Sequence, residues 1–214
     1  MIKLNTLLYS AGWTAEQVVH TPLLEGRPTV VIRPGHGAGS GVTRGNVEEH
    51  QYFWRIAEQT ISQIRGVNAI YLNRLVRGQP GFSVENTLVD ALIADTGGID
   101  LQLHINYAVT SKAHGCLTAY SRGNTHSRRF AQILQRQVAD GVGLADSTAC
   151  ANGLLPCPEP GFENISYLIG QPASSSVLLE AGFLSNFKDF LALSNGSQKM
   201  ATAIANSFNI FYAE

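Results

Sequence analysis

Residues with the means to do chemistry gather in three stretches. Arg33 to His50 reads RPGHGAGSGVTRGNVEEH: His36 lies in a glycine-rich loop, and Glu48, Glu49 and His50 follow within fourteen residues of it. His104 closes the apolar run IDLQLH, and Glu180 closes SVLLE. Two histidines and a carboxylate form a ligand set for zinc, leaving a fourth position open as catalytic sites do. A second glutamate outside that set can serve as general base. The set is therefore two histidines, one ligand glutamate and one base glutamate, drawn from His36, Glu49, His104 and Glu180.

Each residue also has a plain structural reading. His36 could mark a turn among glycines, and His104 could be a satisfied core histidine. Glu49 stands three residues after Asn46, as the partner of an Asn helix cap does. Glu180 is harder to explain this way, because a buried carboxylate is costly unless a positive group pairs with it. Glu48 and His50 compete with Glu49. Glu49 lies four residues before Phe53 and eight before Ala57, on the inward stripe of a helix. Its neighbours are turned about 100° away, so Glu49 is preferred.

Other chemistries fit less well. GHGAGSG lacks the G-x-x-x-x-G-K-[ST] phosphate loop and has no G-x-G-x-x-G opening a helix. Ser40 in GAGSGV only approaches a nucleophile elbow. Cys116, Cys150 and Cys157 make an odd count without zinc-knuckle spacing. Three reduced thiols are expected, with a Cys150–Cys157 pair as the alternative.

These residues need strands to carry them. TVVIR (29–33), NAIYL (68–72), IDLQLHI (99–105), GCLTAYS (115–121) and SSVLLEAG (175–182) read as strands, being short, apolar and β-branched. Helices are expected over 46–65, 83–95, 125–140 and 196–212. Phe53, Ala57, Thr60, Ile61 and Ile64 give the first of these an apolar face, and Phe130, Ile133, Leu134 and Val138 do so for the third. WTAEQVVH reads as a short helix, with Thr14 and Gln17 spaced for a capping box. Alternating strands and helices predict a single α/β domain, with a mostly parallel or mixed central sheet flanked by helices on both faces. The boundaries expected are an N-terminal extension over 1–27 and a catalytic domain over 28–214. Ligands of open α/β sheets bind beyond the carboxyl ends of the strands, where His36, His104 and Glu180 would meet. The Pro- and Gly-rich stretch 141–174 lacks a clear period and is expected to border the site.

Composition narrows the partners. Among 214 residues the hydrophobic share is 44%, enough for a sizeable core, and the net charge is −1. No basic excess points to nucleic acid. No apolar run approaches the roughly 18 residues of a spanning helix, and MIKLNTLLYSAGW is a poor secretory signal.

From Thr29 to Tyr212 the chain resembles the zinc-dependent N-acetylmuramoyl-L-alanine amidases of bacterial autolysins and phage endolysins. VVIRPGHGAG is similar to that family's strand and P-G-H-G, EEHQYFWRIA to its glutamate-bearing helix start, and DLQLHINYA to its S-I-H-A-N strand. SSVLLEAGFLSN, similar to E-x-G-F-l-S-N, is the most specific piece. The resemblance implies Zn2+ on His36, Glu49 and His104, catalysis by Glu180, and a peptidoglycan substrate cut between N-acetylmuramic acid and L-alanine. Asn106 and Asn186 are candidate substrate-binding residues. A monomer acting at the bacterial cell wall is expected, made in the cytosol and released by a holin, or else processed. Arg33 departs from the family's usual Asp, the loop after His36 lacks D-x-G-A, and Arg74 is offered for the arginine that follows the second strand. Two alternatives stand beside this reading. One is a zinc carboxypeptidase, for which Arg122, Arg128 or Arg129 would hold a terminal carboxylate. The other is a wall-binding protein without turnover.

Overall fold

The computed structural model describes Leu8 and residues 12–73, 82–94, 96–169 and 175–213. Arg74 lies outside them. The strands are β1 (Val18–His20), β2 (Thr29–Pro34), β3 (Thr43–Arg44), β4 (Val47–Glu48), β5 (Asn68–Leu72), β6 (Asp100–Asn106), β7 (Leu117–Ser121), β8 (Leu154–Cys157) and β9 (Ser176–Phe183). The helices are α1 (Glu49–Arg55), α2 (Ala57–Gln63), α3 (Phe82–Ile93), α4 (Thr125–Val138), α5 (Glu163–Ile169), α6 (Phe187–Asn195) and α7 (Ser197–Ala213).

Seven strands form one mixed sheet in the order β1-β5-β2-β6-β9-β7-β8. Its centre, β5-β2-β6-β9, is parallel, whereas β1 and β7 run antiparallel to their neighbours. The central strands are buried end to end, as parallel strands covered on both faces must be. Alternate side chains serve opposite faces of the sheet. Val30, Ile32, Ala69 and Tyr71 join α1, α2, α4 and α7 in the larger core. Val31, Ile70 and Leu72 meet Leu8, Trp13 and α3 in a second on the opposite face. The expected α/β architecture is present.

Three local expectations change. The helix expected over 46–65 is a β3–β4 hairpin followed by two short helices, which part at Ile56 (φ −95°, ψ −3°). Its predicted apolar face is nevertheless buried. Asn46 therefore caps nothing, and Glu49 is the first residue of α1. WTAEQVVH makes only a 3-10 turn (Ala15–Gln17) before running into β1. Half of its capping box survives, the Thr14 N–H donating to Gln17 Oε1 at 2.9 Å. β1 pairs with β5 along Val18–His20, so part of the expected extension is the edge strand of the sheet. Finally, the stretch 141–174 is not one loop: it holds β8, at the far edge of the sheet, and α5, while its residues 145–147 bond Cys116 beside the Glu180 end of β9.

Candidate metal centre

The site forms where β2, β6 and β9 deliver their side chains. His104 and Glu180 are register partners on adjacent strands. The ladder runs on past β2, where the Gly35 N–H donates to the Leu103 carbonyl at 2.8 Å, setting His36 over the end of β6. The loop then returns through β3 and β4 to bring Glu49 back to the same edge. His36, Glu49 and His104 offer ligand atoms that all lie within 4.8 Å of one another. His104 Nδ1 is 3.3 Å and His36 Nε2 3.7 Å from Glu49 Oε1. The two imidazoles stand edge to face, their centres 5.2 Å apart.

Glu49 is held from two sides. The Val42 N–H donates to Oε2 and the Ile105 N–H to Oε1, each at 2.9 Å. Burial pushes this carboxyl up, but the hydrogen bond to His104, the charges of His104 and His36 and the Val42 amide outweigh it and hold Glu49 below the ordinary value. Glu180 is the opposite case. Burial pushes it up to about 7, with His104 opposing and Glu49 adding to the rise. Two carboxyls in one site are thus driven apart, the usual mark of a ligand or stabiliser beside a proton carrier.

Two glycines make room. A Cβ on Gly35 would fall 1.8 Å from His104 Cε1 and Nε2, and one on Gly41 (φ +88°) would fall 2.5 Å from Glu49 Oε2. Sequence reasoning treats both as loop punctuation. Their signal, glycines flanking the histidine loop on both sides, is visible only once Glu49 and His104 are known to lean on them.

The group fits a metal ion. His104 Nε2 and Glu180 Oε2 are buried without a hydrogen-bond partner among the described residues, a cost that a cation would offset. Two imidazoles and one carboxylate suit zinc among the common ions. Glu48 is a half-buried strand residue outside the cluster, and His50 turns away to Asn73.

The remaining expected residues are used differently. Asn106 Oδ1 accepts the Tyr107 N–H at 2.8 Å. The Asn186 side chain caps α6, accepting from Lys188 and Asp189, and donates to the Ser111 carbonyl at 2.8 Å. Arg33 faces away from the site into the smaller core, paired with Glu85 at 2.9 Å and Asp100 at 2.7 Å. Its departure from the family's Asp leaves the ligand cluster untouched. Arg122 follows β7, whose first residue pairs with Glu180, so it sits at the opposite end of the sheet, bonded to Glu159 and the Pro158 carbonyl. Arg129 stacks on Phe211 at 4.9 Å.

Fold and site together define a single α/β domain with a His-Glu-His cluster at one edge of its mixed sheet. Residues 30–209 match the family model described as N-acetylmuramoyl-L-alanine amidase, and the chain belongs to that family. It is an amidase acting on peptidoglycan. Solved structures share the fold. The catalytic domain of the amidase CwlV from Bacillus (Paenibacillus) polymyxa is 23% identical, with 87% of this chain and 98% of that one covered and a TM-score of 0.66. An N-acetylmuramoyl-L-alanine amidase from Clostridium difficile 630 is 18% identical over 89% and 99%, with a TM-score of 0.67. Ami1 of Mycobacterium smegmatis is 20% identical over 87% and 97%, with a TM-score of 0.63. No curated protein sequence gives a significant match.

Proposed function

We propose that this amidase is zinc-dependent, with His36, Glu49 and His104 holding the ion and Glu180 carrying the proton. The single observation behind the reading is the buried Glu180 Oε2, without a partner among the described residues and beside the clustered ligand atoms on the adjacent strand. Bound there, zinc supplies Lewis acidity and a positive charge close to two carboxyls.

The chain's own residues account for the rest. Glu180 takes a proton at a carboxylate oxygen from the water that attacks the lactyl carbonyl of N-acetylmuramic acid. It returns that proton to the nitrogen of L-alanine as the amide breaks. A carboxyl whose affinity for protons lies near neutrality serves both transfers. The Val42 and Ile105 amides hold the Glu49 carboxylate in place. Asn106, at the end of β6, is proposed to meet the substrate. Asn186 contributes by fixing the 107–111 loop, since its polar atoms already serve α6 and Ser111.

The catalytic unit is read as residues 28–214, completed by the edge strand β1, acting as a monomer at the cell wall, made in the cytosol and released by a holin-type route or processed. Among the described residues no helix is long and apolar enough to cross a membrane. Metal analysis of the purified protein tests the ligand assignment. One zinc per chain is expected in the wild type, with loss in His36→Ala and His104→Ala. Undiminished zinc in both variants would refute it.

A further inference from the structure

His50 follows Glu49 in the first turn of α1, yet it serves a different partner. Its Nε2 lies 2.7 Å from Asn73 Oδ1. An amide oxygen only accepts, so Nε2–H is the donor. Both side chains are buried, His50 at 3% exposure and Asn73 at 0%.

The backbone of Asn73 is consumed from the other side. Its N–H donates to the Gln17 carbonyl at 2.8 Å, and its carbonyl accepts Trp13 Nε1–H at 3.0 Å. Trp13 is itself buried, in the cluster that holds Leu8, Val31, Ile70 and Leu72. An unbroken set of contacts therefore runs from residues 13–17 through Asn73 and His50 to the helix turn that carries Glu49.

The His50–Asn73 pair is not the cheapest way to fill this space. His50 Nδ1 and Asn73 Nδ2 are both buried without a partner among the described residues. Apolar side chains of similar size would leave no such atoms. What they could not supply is direction. The N-cap of α1, Glu48, offers no side-chain cap, and the helix runs for only seven residues, too short to be stable by itself. Residues 49 and 50 point about 100° apart around the helix axis. Fixing His50 through one directional bond thus fixes the rotation of the turn, and with it the direction from which Glu49 reaches His36 and His104.

We infer that Asn73 and His50 are positioning residues for the metal centre, through which the N-terminal segment 13–17 sets the placement of Glu49. This rests on the reading of Glu49 as a ligand. Partners beyond the ligands themselves commonly govern metal affinity by about 10- to 100-fold.

The test is zinc affinity of the full chain, measured by chelator competition at fixed pH, beside thermal unfolding of the metal-free protein. His50→Gln keeps an amide nitrogen near the position of Nε2, whereas His50→Phe keeps the bulk and loses the donor. Asn73→Ala removes the acceptor, and Trp13→Phe removes the indole N–H together with part of the buried ring. His50→Phe and Asn73→Ala are expected to weaken zinc by about 10-fold or more, Trp13→Phe by less, and His50→Gln to stay close to wild type. Should His50→Phe not fold, Asn73→Ala and Trp13→Phe carry the same test. Wild-type zinc affinity in the folded variants, with only the melting temperature lowered, would overturn the inference and leave the metal reading intact. A wild type that binds no zinc would overturn the metal reading first, and the inference with it.

Discussion

His104 and Glu180 face each other across adjacent parallel strands, one register step apart in neither direction. That pairing puts a candidate ligand and a candidate proton carrier on one rigid sheet rather than on loops. Their relative position is then set by backbone hydrogen bonds, which is the most exact placement a fold offers. Glu180→Gln preserves the shape of the side chain and removes its basicity. Zinc content should stay at the wild-type level while turnover falls by about 10²- to 10⁴-fold, the range of general acid–base contributions. Parallel metal analysis and muropeptide release assays read both quantities.

The choice between adjacent glutamates gives a second test. Glu49 reaches both histidines and Glu48 reaches neither. Glu49→Gln should lose tight zinc binding, and Glu48→Gln should keep it. The reverse pattern, seen by chelator competition, would move the ligand by one residue.

Gly35→Ala tests the close approach of the loop to His104. The new methyl would occupy space already filled by the imidazole, 1.8 Å from its atoms. Loss of zinc is expected together with a lower melting temperature. Gly39→Ala, in the same loop, has nothing within 4 Å of its added Cβ but sits at φ +72°. It should cost about 1–2 kcal/mol of stability from backbone strain and retain zinc.

Arg33 stands between Glu85 and Asp100 in a buried ion cluster. Arg33→Met would leave two carboxylates facing each other without their cation. Breaking such a pair typically costs about 3–5 kcal/mol. Chemical denaturation should report a loss of this order, and zinc binding by the remaining folded protein should be unchanged.

Thiol reactivity offers a pH test. Burial pushes the Cys116 thiol up to about 12 and the Cys150 thiol up to about 11. The reactive thiolate is the deprotonated form, so raising the pKa lowers its population at any pH below that value. At pH 8 roughly one Cys116 in ten thousand is ionised. Native protein at pH 8 should resist iodoacetamide at Cys116, and labelling should rise only on unfolding, as peptide mapping would record. The three cysteines are free, the expected arrangement, with Cys150 and Cys157 unpaired.

Much of this was legible in the sequence because strands announce themselves. NAIYL falls on β5 residue for residue, and IDLQLHI and SSVLLEAG lie within a residue of β6 and β9 at each end. Parallel strands buried on both faces are continuous apolar runs, so their polar ends stand out. The segment 46–65 was less legible. Its apolar period persists through a hairpin and a break at Ile56, since burial depends on the face presented and not on unbroken helix. β1 was missed because three residues, VVH, carry too little pattern, and their partner β5 lies fifty residues away. Gly35, Gly41, Asn73 and the amides of Val42 and Ile105 act through tertiary contacts. No local spacing encodes these. The same holds for Asn186, whose place after E-x-G-F-x-S says nothing of the cap it forms.

The most direct measurement is mass spectrometry of purified peptidoglycan incubated with the protein, with zinc and with a chelator. The account predicts zinc-dependent release of stem peptides bearing a free L-alanine amino end, from glycan strands left intact. Stems that lose terminal residues while still attached to sugar, or release of free stems that is indifferent to chelation, would contradict it.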